Sequence, residues 1–233
     1  LQTVTIRIAM PLELVLSLHG VGVPPPGVLL DERPYWIATE CFEQLVAELA
    51  AWSRVRAIPV LATFDDGNQS DLAVAAPLLA AHGVPAVFFV CTGRLGRPGY
   101  LSPVDCRALA NQGFTVGSHG IDHVRWPALS PAALEHELAH SRATLEGVLG
   151  APLATAAIPF GAYNRRVLGA LRKAGYTTVY NSDEGLSPPG RWLRRRWTWR
   201  TGARIDPDAM VARSMHPARR IESAGRELLK SLR

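Results

Sequence analysis

The sequence predicts an α/β fold built on a parallel sheet, either open or closed into a barrel, and three observations predict it. Strand-length apolar runs alternate with longer segments of helical spacing along most of the chain, the pattern of repeated β-α units with right-handed crossovers. One run, VPAVFFVCT, is almost continuously apolar, which marks a strand covered on both faces. Hydrophobic residues make up 48% and charged residues 19% of 233 positions, enough for one large packed domain and too few residues for two full-sized ones.

The elements follow in order. LELVLSLHGV reads as the first strand, and Pro24-Pro25-Pro26-Gly27 then forces a loop. TECFEQLVAELAAW carries Phe42, Leu45, Val46 and Leu49 at helical spacing, with Thr39 as its expected N-cap. IPVLATF is the second strand. DLAVAAPLLAAHG is a helix despite Pro77 and ends at Gly83, suited to a left-handed C-terminal position. After VPAVFFVCT come a short helix around Val104 to Asn111, the strand FTVGS, a helix from about Pro131 to Leu149, the strand TAAIPF, a helix around Arg165 to Ala174, and the strand YTTVY. Several polar residues fall at the carboxyl ends of these strands: His19, the pair Asp65 and Asp66, His119 and Gly161. Ligand sites in barrels and open α/β sheets are built at that edge.

Bulk properties narrow the classes. No apolar run reaches the roughly 18 to 20 residues that span a bilayer, and the first twenty residues lack the layout of an export leader. The location is expected to be cytoplasmic or is left unassigned, with an earlier, removed export segment left open because the chain begins at Leu1. Cys41, Cys91 and Cys106 form no CxxC pair and read as buried free thiols. Net charge is +5, but residues 191 to 233 carry +8 and the rest −3. Within that basic segment RWLRRRWTWR alternates arginine with tryptophan, which suits an amphipathic strand with one solvated face better than a nucleic-acid surface, so no nucleic-acid partner is expected. The chain reads as a single domain over 1 to 233, with 181 to 233 a basic extension that either completes the barrel or forms a partner surface. Oligomeric state is left open.

The chemistry gathers in two stretches. LATFDDGNQS sets two carboxylates side by side, where each raises the cost of ionising the other; SHGIDH places His119 and His123 four apart, a spacing that lets both imidazoles face one way. A divalent cation bound by Asp66 and the two histidines relieves the repulsion and leaves Asp65 as a base. Such a centre suits hydrolysis of an amide or ester. His136 and His140 are also four apart, but they lie on the predicted helix PAALEHELAHSRATLEGVL, interleaved with Glu135 and Glu137, and read as a solvated or interfacial helix face.

TFDDG at 63 to 67, the H-x-x-x-H of 119 to 123 and PFGAYN at 159 to 164 together resemble the polysaccharide deacetylases with the NodB-homology domain, carbohydrate esterase family 4. The resemblance extends over roughly residues 58 to 180. It implies a distorted (β/α)7 barrel, a divalent metal, usually zinc with cobalt, nickel, iron or manganese as alternatives, and removal of acetyl groups from an N-acetylated carbohydrate of the N-acetylglucosamine type. By motif, Asp65 resembles the catalytic base, and Asp66, His119 and His123 the metal ligands. Pro159, Phe160 and Gly161 match the groove-wall motif, and Tyr163 and Trp126 beside the motifs are expected to stack on sugar; Trp192, Trp197 and Trp199 are expected to pack under the sheet or line a rim.

Three departures accompany the resemblance. The third motif usually begins with an arginine that orients the catalytic aspartate, where this chain has Ala157; Arg194, Arg195 and Arg196 are candidates to replace it. The position after the first histidine, usually Ser or Thr, is Gly120, which removes a loop-bracing hydrogen bond. The general-acid histidine, normally in an L-x-H pattern near the C-terminus, is expected to be His19, which ends the first strand as in some poly-N-acetylglucosamine deacetylases. The two other readings are a C-N hydrolase acting on a small amide and a silent carbohydrate-binding homologue.

Overall fold

The computed structural model describes residues 12–26, 28 and 30–232, so Gly27 of the proline-rich loop lies outside the described residues. Eight strands form one sheet: β1 (Leu14–Leu18), β2 (Val60–Phe64), β3 (Ala86–Val90), β4 (Thr115–Ser118), β5 (Thr155–Ala157), β6 (Thr178–Tyr180), β7 (Leu193–Arg194) and β8 (Trp197–Thr198). The helices are α1 (Thr39–Arg56), α2 (Ala76–His82), α3 (Pro103–Asn111), α4 (Pro131–Leu149), α5 (Arg165–Lys173), α6 (Pro207–Met215) and α7 (Pro217–Leu232). The sheet order is β7-β6-β5-β4-β3-β2-β1-β8, and every neighbouring pair is parallel.

Only Arg195 and Arg196 separate β7 from β8. One short segment therefore pairs first with β6 and then, past this kink, with β1, joining the two edges of the sheet into a barrel with a seam. Counted as one bent strand, it makes the seventh stave of the distorted (β/α)7 barrel.

Side chains along β1, β2 and β3 alternate between two cores, as the two-residue period of a strand requires. Leu14, Leu16, Leu18, Ala62, Phe64, Phe88 and Val90 face the helices. Val15, Leu61, Val87 and Phe89 join Ala157 and Tyr180 inside the barrel. Phe42, Phe64, Phe88 and Phe114 form a run of ring contacts beneath the helices, and each buried ring contributes about 1.5–3 kcal/mol by leaving water.

Local details differ from expectation where tertiary contacts intervene. Thr39 is the first residue of α1, not its cap; Ala38 holds that position without a side-chain bond. α4 spans the expected residues and is capped by Ser130, whose hydroxyl accepts from Ala133 N. Gly83 ends α2 in the left-handed conformation, as expected. Cys91 and Cys106 are buried, but Cys41 is exposed. The segment RWLRRRWTWR has no solvated arginine face at its centre: Arg194 and Arg196 are buried, and Leu193 and Trp197 are buried on the helix side. No described helix is long and apolar enough to cross a membrane.

Candidate active site

The two-residue period that builds the lumen also builds the site. Above Val15 and Ser17 on β1 comes His19; above Leu61 and Thr63 on β2 comes Asp65. Asp65 N–H bonds the Leu18 carbonyl at 3.0 Å, and His119 N–H bonds the Val90 carbonyl at 2.9 Å, so the sheet register carries past the strand ends and holds these residues on one rim. Asp66 (φ 80°), His123 (φ 52°) and Phe160 (φ 58°) are three of the five described non-glycine residues in the left-handed region, and strain of that kind concentrates where side chains must be aimed.

Asp66, His119 and His123 bring one donor atom each to within 4.8 Å of one another. His123 Nε2 lies 3.4 Å and His119 Nε2 3.9 Å from Asp66 Oδ1. His119 Nδ1 donates to the Ala157 carbonyl at 2.9 Å, which leaves the Nε2 lone pair facing Asp66. Burial pushes the His119 imidazole down to about 3 and the Asp66 carboxyl up to about 6. Asp66 Oδ1 is buried without a hydrogen-bond partner. Two neutral imidazoles beside an orphaned carboxylate oxygen are a donor set that fits a divalent cation.

Asp65 has a different environment. Burial opposes its charge, but Arg196, with His119 and His19, holds it well below the usual carboxylate range. Arg196 is fully buried and grips both oxygens, Nη1 to Oδ1 at 2.7 Å and Nη2 to Oδ2 at 2.9 Å. The same guanidinium donates to Thr63 Oγ1 at 3.0 Å and to the Asn181 carbonyl at 3.1 Å. Ser17 Oγ lies 3.4 Å from Asp65 Oδ2. Of the three candidate arginines, Arg196 is thus the one that reaches Asp65. Arg194 points into the lower lumen against Glu13 and the Tyr180 hydroxyl, and Arg195 pairs outward with Glu227.

His19 stands beside Asp65 on the β1 side. Its charged form stabilises both carboxylates. Its ring lies 4.7 Å from that of Tyr35, tilted by 35°, and its Nδ1 is buried without a partner. Opposite, Phe160 is half exposed and its ring lies 4.5 Å from that of His123. Pro159 and Gly161 are buried beneath it; a Cβ on Gly161 (φ 58°) would meet Ser182 Cβ at 2.8 Å and Ser182 N at 3.0 Å.

Two expected sugar-stacking residues are elsewhere. Trp126 is fully buried, and Tyr163 is 5% exposed with its hydroxyl donating to Asp183, so neither offers a ring face to a ligand. Nearness to a motif is a weak guide here, because a large ring at either position fills the packing beneath the loop instead. Glu137 also departs from the expected solvated face: it is buried, and its carboxylate accepts from Ile121 N at 2.8 Å and Asp122 N at 3.3 Å. It braces the SHGIDH loop, where Gly120 N–H also bonds Ser118 Oγ at 3.1 Å. His136 and His140 are exposed, as expected.

Residues absent from the sequence reading complete the surroundings. Arg94 donates to Glu32 Oε1 at 2.8 Å, and its Nη1 lies 3.7 Å from Asp66 Oδ1. Glu32 Oε1 is 3.8 Å from His123 Nδ1, beyond hydrogen-bond reach, while Arg94 Nη2 lies 3.5 Å from the same nitrogen. Neither residue lies in a motif, and no spacing signals them.

The sequence profile of the polysaccharide deacetylase family matches residues 53–179. The chain belongs to that family. Among curated relatives, polysaccharide deacetylase family protein YxkH of Bacillus subtilis (strain 168) is 29% identical over 128 residues, 55% of this chain and 46% of that protein. The chitooligosaccharide deacetylase of Rhizobium leguminosarum bv. trifolii is 29% identical over 133 residues, 57% of this chain and 58% of that protein. The matches thus span less than two thirds of either relative. Among solved structures, the Streptococcus pyogenes deacetylase PplD shares the fold with a TM-score of 0.73 at 21% identity, covering 90% of this chain and all of that one.

Proposed function

We propose that this polysaccharide deacetylase family member is a metal-dependent hydrolase that removes N-acetyl groups from an N-acetylated sugar polymer of the N-acetylglucosamine type. The observation that carries the reading is the convergence of Asp66, His119 and His123 beside an Asp65 that is ionised, clamped by Arg196 and not required as a ligand. Asp66, His119 and His123 would hold the cation, with zinc the ion that two histidines and a carboxylate suit best. When bound, it polarises a carbonyl oxygen and lowers the pKa of a water.

The chain's own groups supply the rest. Asp65, fixed in orientation by the two Arg196 bonds, accepts a proton from the attacking water. Because that pairing keeps the carboxylate ionised, the base is available without a prior deprotonation. His19, on the other side of the carboxylate pair, donates a proton to the departing amine nitrogen, so the C–N bond breaks to acetate and a free amino sugar. Ser17 and Thr63 fill the layer below and keep Asp65 from rotating into the lumen. A silent homologue is the reading that Ala157 and Gly120, as departures from the family pattern, favour. Arg196 and Glu137 supply what those positions lack, which favours the catalytic reading.

The test is acetate release from N-acetylglucosamine oligomers by protein loaded with zinc, then stripped by a chelator. Activity is expected to vanish on stripping and return with metal. Asp65→Asn is expected to keep its metal and lose at least about a hundredfold in kcat, whereas His119→Ala loses both. Substantial turnover by metal-free Asp66→Ala protein would rule the proposal out. Release from small amides alone would favour the other hydrolase reading.

A further inference from the structure

Two side-chain stacks flank the carboxylate pair, and they are built alike. On one side the His19 ring lies 4.7 Å from that of Tyr35, and the Arg200 guanidinium lies over the same tyrosine at 4.9 Å. Arg200 also donates to the Tyr35 hydroxyl. On the other side the His123 ring lies 4.5 Å from that of Phe160, and the Arg125 guanidinium lies over this phenylalanine at 4.7 Å. The sheet order sets β2, which leads to Asp65 and Asp66, between β1 with His19 and β4, which leads to His123. The stacks therefore stand on opposite sides of the reacting centre, each running imidazole, aromatic ring, guanidinium.

An arginine over an aromatic wall changes what that wall recognises. A bare ring takes the apolar face of a neutral sugar; a ring carrying a guanidinium presents a fixed positive charge with N–H donors in a fork that fits carboxylate or phosphate. Arg125 and Arg200 are exposed, and neither pairs with a carboxylate among the described residues. Arg195 and Arg213, by contrast, are tied to Glu227 and Glu184. A third guanidinium, Arg94, lies 5.1 Å from the Tyr100 ring, and its Nη1 is buried without a hydrogen-bond partner beside Asp66. Arg94 is itself paired with Glu32, so the positive charge left without a carboxylate partner beside the groove is that of Arg125 and Arg200.

We infer that the glycan which enters this groove is acidic: sugars flanking the N-acetylated one carry carboxylate or phosphate groups, received by Arg125 on one side and Arg200 on the other. The inference rests on the deacetylase reading and narrows its substrate class from N-acetylated glycans in general to anionic ones.

The experiment uses the full chain with its metal and three tetrasaccharides: the neutral N-acetylglucosamine tetramer, its 6-O-phosphorylated form, and one alternating N-acetylglucosamine with glucuronate. At least one anionic substrate is expected to have the higher kcat/KM, and which one it is identifies the anion. The preference is expected to shrink at high salt, where exposed charges are screened. Arg125→Gln and Arg200→Gln are each expected to reduce the anionic-to-neutral ratio by about two- to fivefold, the span of exposed ion pairs. Calorimetric binding to Asp65→Asn protein is the second readout. Equal kcat/KM for all three substrates, untouched by salt and by both substitutions, overturns the inference and leaves the deacetylase reading standing. If none releases acetate, the deacetylase reading falls, and the binding data decide the groove: tighter binding of an anionic tetrasaccharide, weakened in either arginine variant, upholds it, and binding indifferent to charge overturns it.

Discussion

At Arg196 the fork of the guanidinium matters as much as its charge. Both Asp65 oxygens are held at once, and a lysine ammonium keeps the charge but cannot reproduce two parallel bonds. Arg196→Lys is therefore expected to lower kcat about a hundredfold or more with metal content unchanged, since no ligand is touched. Kinetics beside metal analysis check this, and equal kcat would show that orientation of Asp65 is not limiting. Asp71 behaves in the opposite sense. It is fully buried and neither carboxylate oxygen has a hydrogen-bond partner; burial, with Asp66 and Asp65 nearby, pushes its carboxyl well above the ordinary range. The folded chain then keeps a proton that the unfolded chain has released, so this group lowers stability as pH rises from the unfolded carboxylate value toward the raised folded one. The slope is at most about 1.4 kcal/mol per pH unit. Urea unfolding of wild type and Asp71→Asn at pH 4 and pH 7, with chelator present, is expected to show the difference moving against wild type at the higher pH. A difference that stays constant would mean the Asp71 carboxyl titrates alike folded and unfolded. The charge pair of TFDDG was legible in the sequence; that two aspartates five and six positions upstream of a third would leave Asp71 buried and unbonded was not, because burial depends on what packs over it.

Among the elements, the loop between β4 and α4 carries both histidines of the candidate metal site and depends on a glycine. Gly120 has φ +81°, and a Cβ there would come within 2.5 Å of Glu137 Oε2 and 3.2 Å of Trp126 Cζ2. Glu137 uses that space to reach Ile121 and Asp122 N–H. Gly120→Ser, although it restores the residue the family resemblance leads one to expect, is predicted to cost about 1–3 kcal/mol and to weaken metal binding by shifting the loop. Thermal unfolding with metal competition tests it, and an unchanged melting temperature would mean the loop accommodates the side chain freely. The long helices α1 and α4 were legible because ten or more residues of apolar period outvote local exceptions, and α4 keeps its expected bounds; α6 and α7 lie in the stretch read only as a basic extension. Strands β7 and β8, two residues each, are too short for any periodicity to register. Between β2 and α2 the backbone takes a π-helical turn over Asp71–Ala75, of a kind found often at functional sites and invisible to a 3.6-residue pattern.

On the scale of the molecule, the segment Leu193–Thr198 is both the closing stave and the carrier of Arg196. A chain cut before Leu193 loses the partner of β1 at one edge and of β6 at the other, leaving two open strands that invite association. Such a truncation is expected to aggregate or to lose cooperative unfolding; a soluble product with a sharp transition would show that neither edge needs this partner. Part of the positive charge concentrated after residue 190 is taken up in this architecture. Arg194 and Arg196 are buried in the lumen, Arg195 and Arg191 grip Glu227 of α7, and Arg213 grips Glu184.

By itself the sequence determined the repeating β-α order, the parallel sheet, the strand-end position of the polar residues and the candidate ligand set Asp66, His119 and His123, because these follow from short-range periodicity and from residue types that few other uses explain. Only the tertiary structure decided which arginine replaces the one absent at Ala157, that Glu137 braces the histidine loop, that Glu32 and Arg94 stand behind His123, and that Trp126 and Tyr163 are packing residues. Each of these is a contact between segments far apart in the chain. Distance along the chain leaves no periodic trace, and such partners are chosen by which side chains the closed barrel brings within bonding reach.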